Sequence, residues 1–109
     1  MAKQYKKVET AVIHSGYEAK EHQGSLAVPI YQTSTFVFDD AKQGEKRFAG
    51  EESGYIYSRL SNPTVEILEK KMAILEGGEG ALTFGSGMAA VSAVLLSLTK
   101  AGDHILCSQ

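Results

Sequence analysis

The chain of 109 residues carries eleven Lys+Arg against thirteen Asp+Glu, a formal net charge of −2, with 43 % hydrophobic and 22 % charged residues. These proportions are globular and argue against wholesale disorder, and the near-neutral charge argues against nucleic acid as a partner, because phosphate-backbone binding needs a net basic surface. The single cysteine, Cys107, leaves no internal disulfide framework, and the absence of a long apolar run or an apolar leader behind the N-terminal lysines points to a reducing, cytoplasmic setting with no membrane partner.

In chain order, Lys3, Lys6 and Lys7 read as a solvated tail, and Val8 to His14 suits one or two helical turns stopped by Gly16. Leu26 to Phe38 reads as extended chain. Pro29 fixes its own φ and biases Val28 away from helix, and the run Tyr31 to Phe38 is rich in β-branched and aromatic residues. Its alternation is imperfect, so an arm lying on another surface suits it as well as a sheet strand does. Asp39 to Ser53 is polar, with Asp39-Asp40 and Glu51-Glu52 as solvated charges, and reads as a surface loop with room for a short helix. This half offers too few apolar side chains for a core of its own.

The second half is strongly periodic. Asn62 is a good N-cap and Pro63 sits at the first helical position. Val65, Leu68, Met72 and Leu75 fall on one helical face, and Glu66 and Lys70 form an i,i+4 pair. Gly77-Gly78 supplies a left-handed stop, so a helix is expected over 63–76. Gly80 to Phe84 reads as a short buried strand, Gly85-Ser86-Gly87 as a tight turn, Met88 to Leu98 as a helix, and His104 to Cys107 as the start of a second strand. Strand, helix and strand make a βαβ unit with a parallel, right-handed crossover. A parallel sheet needs more strands than these, so the expectation is the N-terminal part of a longer α/β protein.

Two constellations carry chemistry. In Gly85-Ser86-Gly87-Met88 the glycines admit a ligand close to the backbone, and the first N–H groups of the next helix point into the same space. That is an anion site, most often for phosphate, weighed evenly against an empty βα turn. The same residues match G-x-G-x-x-A through Ala90, but the acidic residue a dinucleotide needs after the second strand is missing: Cys107, Ser108 and Gln109 stand there. The second constellation, Tyr55 to Thr64, sets Tyr57, Ser58 and Arg59 just before a capped helix, where an Arg and a Tyr hydroxyl suit a carboxylate or phosphate; the bland reading is a structural ion pair at Arg59 with Tyr57 packed. His14, His22 and His104 are scattered without metal-ligand spacing, and Cys107 reads as a small buried hydrophobe rather than a nucleophile.

The segments Tyr57-Ser58-Arg59-Leu60-Ser61-Asn62-Pro63-Thr64, Leu75-Glu76-Gly77-Gly78-Glu79, Ser86-Gly87-Met88-Ala89-Ala90 and Ala101-Gly102-Asp103 together resemble the pyridoxal-phosphate enzymes of cysteine and methionine metabolism, the trans-sulfuration enzymes. The resemblance runs from about Thr10 to Gln109. Phe48-Ala49-Gly50-Glu51, His14-x-Gly16-Tyr17 and Val28-Pro29-Ile30-Tyr31-Gln32-Thr33 resemble the methionine γ-lyase branch, and sulfhydrylases share parts of the pattern. The resemblance implies the large α/β domain of a fold type I pyridoxal-phosphate enzyme, with residues 1–57 as an extended N-terminal arm and loop contacting a neighbouring subunit and residues 58–109 as the start of the cofactor-binding domain. It implies pyridoxal 5'-phosphate as cofactor, with Ser86, Gly87 and Met88 at the phosphate. Tyr57, Ser58 and Arg59 would belong to a motif that reaches the phosphate of a neighbour's cofactor, in a homotetramer built from dimers that share active sites. It further implies a γ-elimination from methionine, giving methanethiol, 2-oxobutanoate and ammonia, with O-acetylhomoserine sulfhydrylase or a cystathionine enzyme as alternatives. In such enzymes the Schiff-base lysine and the arginine for the substrate carboxylate lie beyond the position of Gln109, so the chain taken alone is expected to be an inactive segment without catalytic residues. A nicotinamide-binding domain and a non-catalytic oligomerisation module are the readings from other classes.

Overall fold

The computed structural model describes residues 7–108; the tail expected at Lys3 and Lys6, and Gln109, lie outside the described residues. Four α-helices and one 3-10 turn follow in order: α1 (Val8–His14), the 3-10 turn (Ala19–His22), α2 (Ala41–Phe48), α3 (Pro63–Glu76) and α4 (Gly87–Leu98).

α1 has an acidic residue, Glu9, in its first turn and His14 in its last, which complements the helix dipole. It ends at Ser15, which is buried and donates its hydroxyl to the Ala11 carbonyl at 2.6 Å. Gly16 follows with φ +72°, and a Cβ there would lie 2.8 Å from the Lys71 backbone nitrogen. The turn after α1 therefore touches the backbone of α3 directly, which only glycine permits. Lys71 closes the contact from the other side, its Nζ donating to the Ile13 carbonyl at 3.3 Å. The buried apolar side chains of this junction are small in number: Ala11 on α1 and Ile67 on α3.

α2 forms inside the segment expected to be mainly loop, because Asp40, exposed as expected, caps a helix. Its carboxylate accepts from the Gln43 N–H at 2.7 Å, and the Gln43 side chain accepts from the Asp39 N–H at 2.9 Å. These reciprocal bonds satisfy one N–H of the helix's first turn and the N–H of the residue before its cap. Phe38 folds back over Gly44 and meets Phe48 edge-on at 6.1 Å.

α3 occupies the expected range, with Asn62 as N-cap, Pro63 in the first turn and Gly77 in the left-handed conformation at its end. The expected Glu66–Lys70 pair is present at 2.5 Å. The buried face is not the expected one. Val65, Leu68 and Met72 are exposed and Leu75 is half-buried, whereas Ile67 is buried. α1 and Gly16 dock on the Ile67 side, so α3 carries apolar residues on two sides and the described residues cover one of them. α4 is largely exposed, with Ala90 and Ala93 half-buried and Leu96 81 % open. A helix apolar on every side belongs in an interior.

No β-strand forms among the described residues. The single bridge joins Thr35 to Tyr57, antiparallel, with Phe36 N–H to Ile56 O at 3.1 Å and Ser58 N–H to Ser34 O at 2.8 Å. Residues 80–84 and 104–107, expected as a buried parallel pair, are extended but unpaired, with Leu82 78 % and Leu106 fully exposed. Cys107, expected to be buried, is exposed for the same reason. A strand exists only through its ladder, and a lone parallel pair open on both faces has nothing to hold it. Thr83 instead donates its N–H and hydroxyl to Glu69 on α3, at 2.9 and 3.1 Å.

The result is an open shape of 49 × 43 × 26 Å with a radius of gyration of 17.4 Å. A compact domain of this length has about 13 Å. The accessible surface is 9293 Å², against roughly 5,900 Å² for a compact monomer of this mass.

Candidate phosphate-binding site

The first part of the site is the start of α4. Ser86 has an extended backbone and its hydroxyl accepts from the Ala89 N–H at 3.1 Å, so it caps the helix. The Gly87 and Met88 N–H groups occupy the first two helical positions, where no carbonyl of the helix reaches them. They point out of the positive end of a helix dipole. A Cβ built on Gly85 or Gly87 meets nothing within 4 Å, so the turn beside these amides is uncrowded.

The second part is the segment 55–59, which is held at several points. Its backbone pairs with residues 34–36 through the Thr35–Tyr57 bridge. The Ser58 hydroxyl donates to the Thr33 carbonyl and accepts from Asn62 Nδ2, the latter at 2.9 Å. Asn62 Nδ2 also donates to the Tyr31 carbonyl at 3.0 Å while Oδ1 accepts from the Thr64 N–H at 2.9 Å, so one buried amide joins the helix cap to the extended arm. Thr64 adds to the same seam, taking the Tyr31 N–H at 2.9 Å and donating to the Pro29 carbonyl at 3.0 Å. Tyr55 packs its ring on Phe36 at 5.3 Å and donates its hydroxyl in a short bond to Glu66. Burial first, then the Glu66 carboxylate, pushes the Tyr55 hydroxyl above its ordinary range. Lys70, then Tyr55, hold the Glu66 carboxyl below its own.

With its base fixed in this way, the segment presents Arg59 to solvent. The guanidinium lies 4.7 Å from the Tyr57 ring centroid, and no ion pair engages it among the described residues. The packed Tyr57 of the bland reading is present, in stacked form, and the ion pair is not. A cation–π stack holds the planar fork in place without using its hydrogen-bond donors.

Arg59 lines two clefts. One, of about 630 Å³, runs from Ser58 and Arg59 past Glu69 to Thr83 and Gly85. The other, of about 460 Å³, is aromatic, formed by Phe36, Phe38, Phe48 and Tyr57 with Leu60. Ser58 and Arg59 thus share a cleft with the start of the Gly85 turn, while Tyr57 faces the aromatic cleft, and Ser86, Gly87 and Met88 line neither. Among the described residues no group of three or more His, Cys, Asp or Glu could hold a metal. No helix among them is long and apolar enough to cross a membrane.

The residues present fit the phosphate of a cofactor: two outward N–H groups, an uncrowded glycine turn, and an exposed arginine with its donors unused. Sequence reading overlooked the residues that hold this arrangement. Glu52 was read as a solvated charge, but it lies 3.5 Å from Arg47 Nε. Arg47 gives no signal in the sequence, and Tyr55 and Thr64, though they bound the second constellation, show no role there, because their partners are 8 to 35 positions away in the chain.

Residues 9–109 match the model of the Cys/Met metabolism PLP-dependent enzymes. An L-methionine γ-lyase from Fusobacterium nucleatum subsp. polymorphum is 57 % identical over 97 residues, covering 89 % of this chain and 24 % of that protein. An O-acetyl-L-homoserine sulfhydrylase from Corynebacterium glutamicum is 49 % identical over 100 residues, 92 % of this chain and 23 % of that protein. Among solved structures, a protein described as an O-acetylhomoserine (thiol)-lyase from Campylobacter jejuni, solved with N'-pyridoxyl-lysine-5'-monophosphate, superposes with a TM-score of 0.79 at 42 % identity. The match covers 87 % of this chain and 23 % of that one. MetB from Corynebacterium glutamicum gives 0.77 at 37 % identity, over 91 % and 24 %. The chain spans about a quarter of the length of the curated relatives it matches.

Proposed function

The chain belongs to the Cys/Met metabolism PLP-dependent enzymes, and from that premise we propose that it forms the phosphate cup and interface arm of a carbon–sulfur lyase acting on methionine. The cofactor of the family is pyridoxal 5'-phosphate, and its chain segment here has the fold of the N-terminal part of such enzymes. The observation that carries the proposal is the α4 N-terminus, where the Gly87 and Met88 amides have no carbonyl acceptor within the helix and the neighbouring glycine turn is uncrowded. In this reading the two amides and the Ser86 turn hold the cofactor phosphate from one subunit, and Tyr57, Ser58 and Arg59 approach it from a neighbour. The residues of this chain bind and orient; the bound cofactor supplies the electron sink that lets protons leave the carbons of the amino acid. The net reaction is methionine and water to methanethiol, 2-oxobutanoate and ammonia. A homotetramer of dimers that share sites accords with the large apolar surface left open on the arm and α4, and a cytoplasmic setting accords with the single exposed thiol.

A sulfhydrylase is the second reading, favoured by the 49 % identity to the Corynebacterium glutamicum enzyme. Products formed by the full-length enzyme from methionine, and from O-acetylhomoserine with sulfide, separate the two: 2-oxobutanoate from methionine supports the lyase, and homocysteine from the second pair alone overturns it. For the cup itself, Arg59→Ala in the full-length enzyme is expected to weaken cofactor binding by about tenfold or more, the usual cost of losing a charge-assisted hydrogen bond. An unchanged dissociation constant for pyridoxal 5'-phosphate removes Arg59 from the site.

A further inference from the structure

Arg47, at the end of α2, belongs to neither part of the site, yet it is the most enclosed cation among the described residues of the arm. Its side chain is 18 % exposed. The guanidinium lies 5.7 Å from the Phe38 ring centroid, its Nε is 3.5 Å from Glu52 Oε1, and its Nη1 donates to the Tyr55 carbonyl at 3.4 Å. Nε makes no hydrogen bond of its own, so the packing of the group, not a full set of bonds, keeps it in place. The fourth wall is Gly54. With φ +148°, a Cβ there would stand 2.6 Å from Arg47 Nε and 2.7 Å from Cζ. The guanidinium end therefore rests against bare backbone, one residue before Tyr55. Tyr55 is gripped twice, at its carbonyl by Arg47 and at its hydroxyl by Glu66 on α3. The segment that leaves this double grip passes through the Ile56–Phe36 and Ser58–Ser34 backbone bonds to Tyr57 and Arg59.

We propose that Arg47 is a positioning residue: seated on Gly54, it fixes the turn before Tyr55 and through it the placement of Tyr57 and Arg59 at the cofactor phosphate. The inference rests on the assignment of Tyr57 and Arg59 to that phosphate. A lysine cannot do the same work, because a point charge on a flexible stem does not reproduce both the close contact with Gly54 and the simultaneous approach to Phe38, Glu52 and Tyr55.

The test is binding by the full-length enzyme stripped of cofactor. Arg47→Met is expected to weaken pyridoxal 5'-phosphate about tenfold and to leave pyridoxal, which lacks the phosphate, unchanged. In an Arg59→Ala background the same substitution is expected to add little, because residues acting through one contact are not additive. Equal weakening of both ligands, no weakening of either, or full additivity with Arg59→Ala overturns the proposal. Where Arg47→Met does not fold, Arg47→Lys carries the same cycle, with wild-type affinity as the overturning result. If Arg59→Ala alone leaves pyridoxal 5'-phosphate binding intact, the phosphate assignment itself fails. If Arg59→Ala weakens it and the Arg47 variants do not, only the positioning role fails.

Discussion

Asn62 shows how one side chain can hold three segments together. As a helix cap it needs only an acceptor, and aspartate would serve equally. Here its amide nitrogen also donates to the Tyr31 carbonyl and to Ser58 Oγ from a buried position. In the full-length enzyme Asn62→Ala is therefore expected to cost about 2–3 kcal/mol, a cap plus a buried carbonyl left without its donor. Asn62→Asp keeps the cap and still loses both donations, while turning a carboxylate toward the Tyr31 carbonyl. It is expected to destabilise at least as much as alanine in thermal unfolding. An aspartate variant as stable as wild type would show that capping is the whole of the contribution. The cap was legible in the sequence, because it depends on residues two positions away. The two donations were not, since their partners are distant or belong to a segment whose path the sequence leaves open.

At the scale of elements, the seam between α3 and the arm contains a titratable link. The Glu66 carboxyl is held below its ordinary range by Lys70 and Tyr55, so its contribution is complete above the unfolded carboxylate pKa of about 4.3 and is lost as pH falls through the lower folded value. The Tyr55 hydroxyl is raised, so its contribution is complete below about 10 and is lost as pH climbs through the higher folded value. Glu66 is 37 % exposed, which limits the link to about 1 kcal/mol or less. The stability difference between the full-length enzyme and its Tyr55→Phe variant is expected to stay level through the neutral range and to narrow below about pH 4 and above about pH 10. A difference that does not change with pH would leave the hydroxyl no part in the seam. α3 and α4 were readable at this scale because caps, spacing and stop signals are local. The docked face of α3 was not, because Val65, Leu68 and Met72 carry the same periodic signal as a buried stripe, and only the position of α1 decides that Ile67 is the covered residue.

The whole molecule is an open sheath of helices and extended segments. With Ala11, Pro63 and Ile67 as the buried apolar side chains among the described residues, and α4 largely uncovered, it has little apolar burial with which to offset the entropy of ordering its backbone. The isolated chain of 109 residues is expected to unfold without a sharp cooperative transition and to bind a hydrophobic dye, while amides of 80–84 and 104–107 exchange rapidly. A sharp calorimetric transition with slow exchange in those two segments would show that they pair without further partners. The sequence by itself determined the family, the two capped helices α3 and α4, and the glycine turn that opens onto the α4 amides, because each rests on residues adjacent in the chain. Only the tertiary structure decided that the predicted strands stand unpaired, that Arg59 stacks on Tyr57 with its donors unused, and that Arg47, Gly54, Tyr55 and Glu66 brace the segment that carries it. Those outcomes depend on what lies beside a residue in space, and a ladder, a stack or a close backbone approach leaves no periodic trace in the chain.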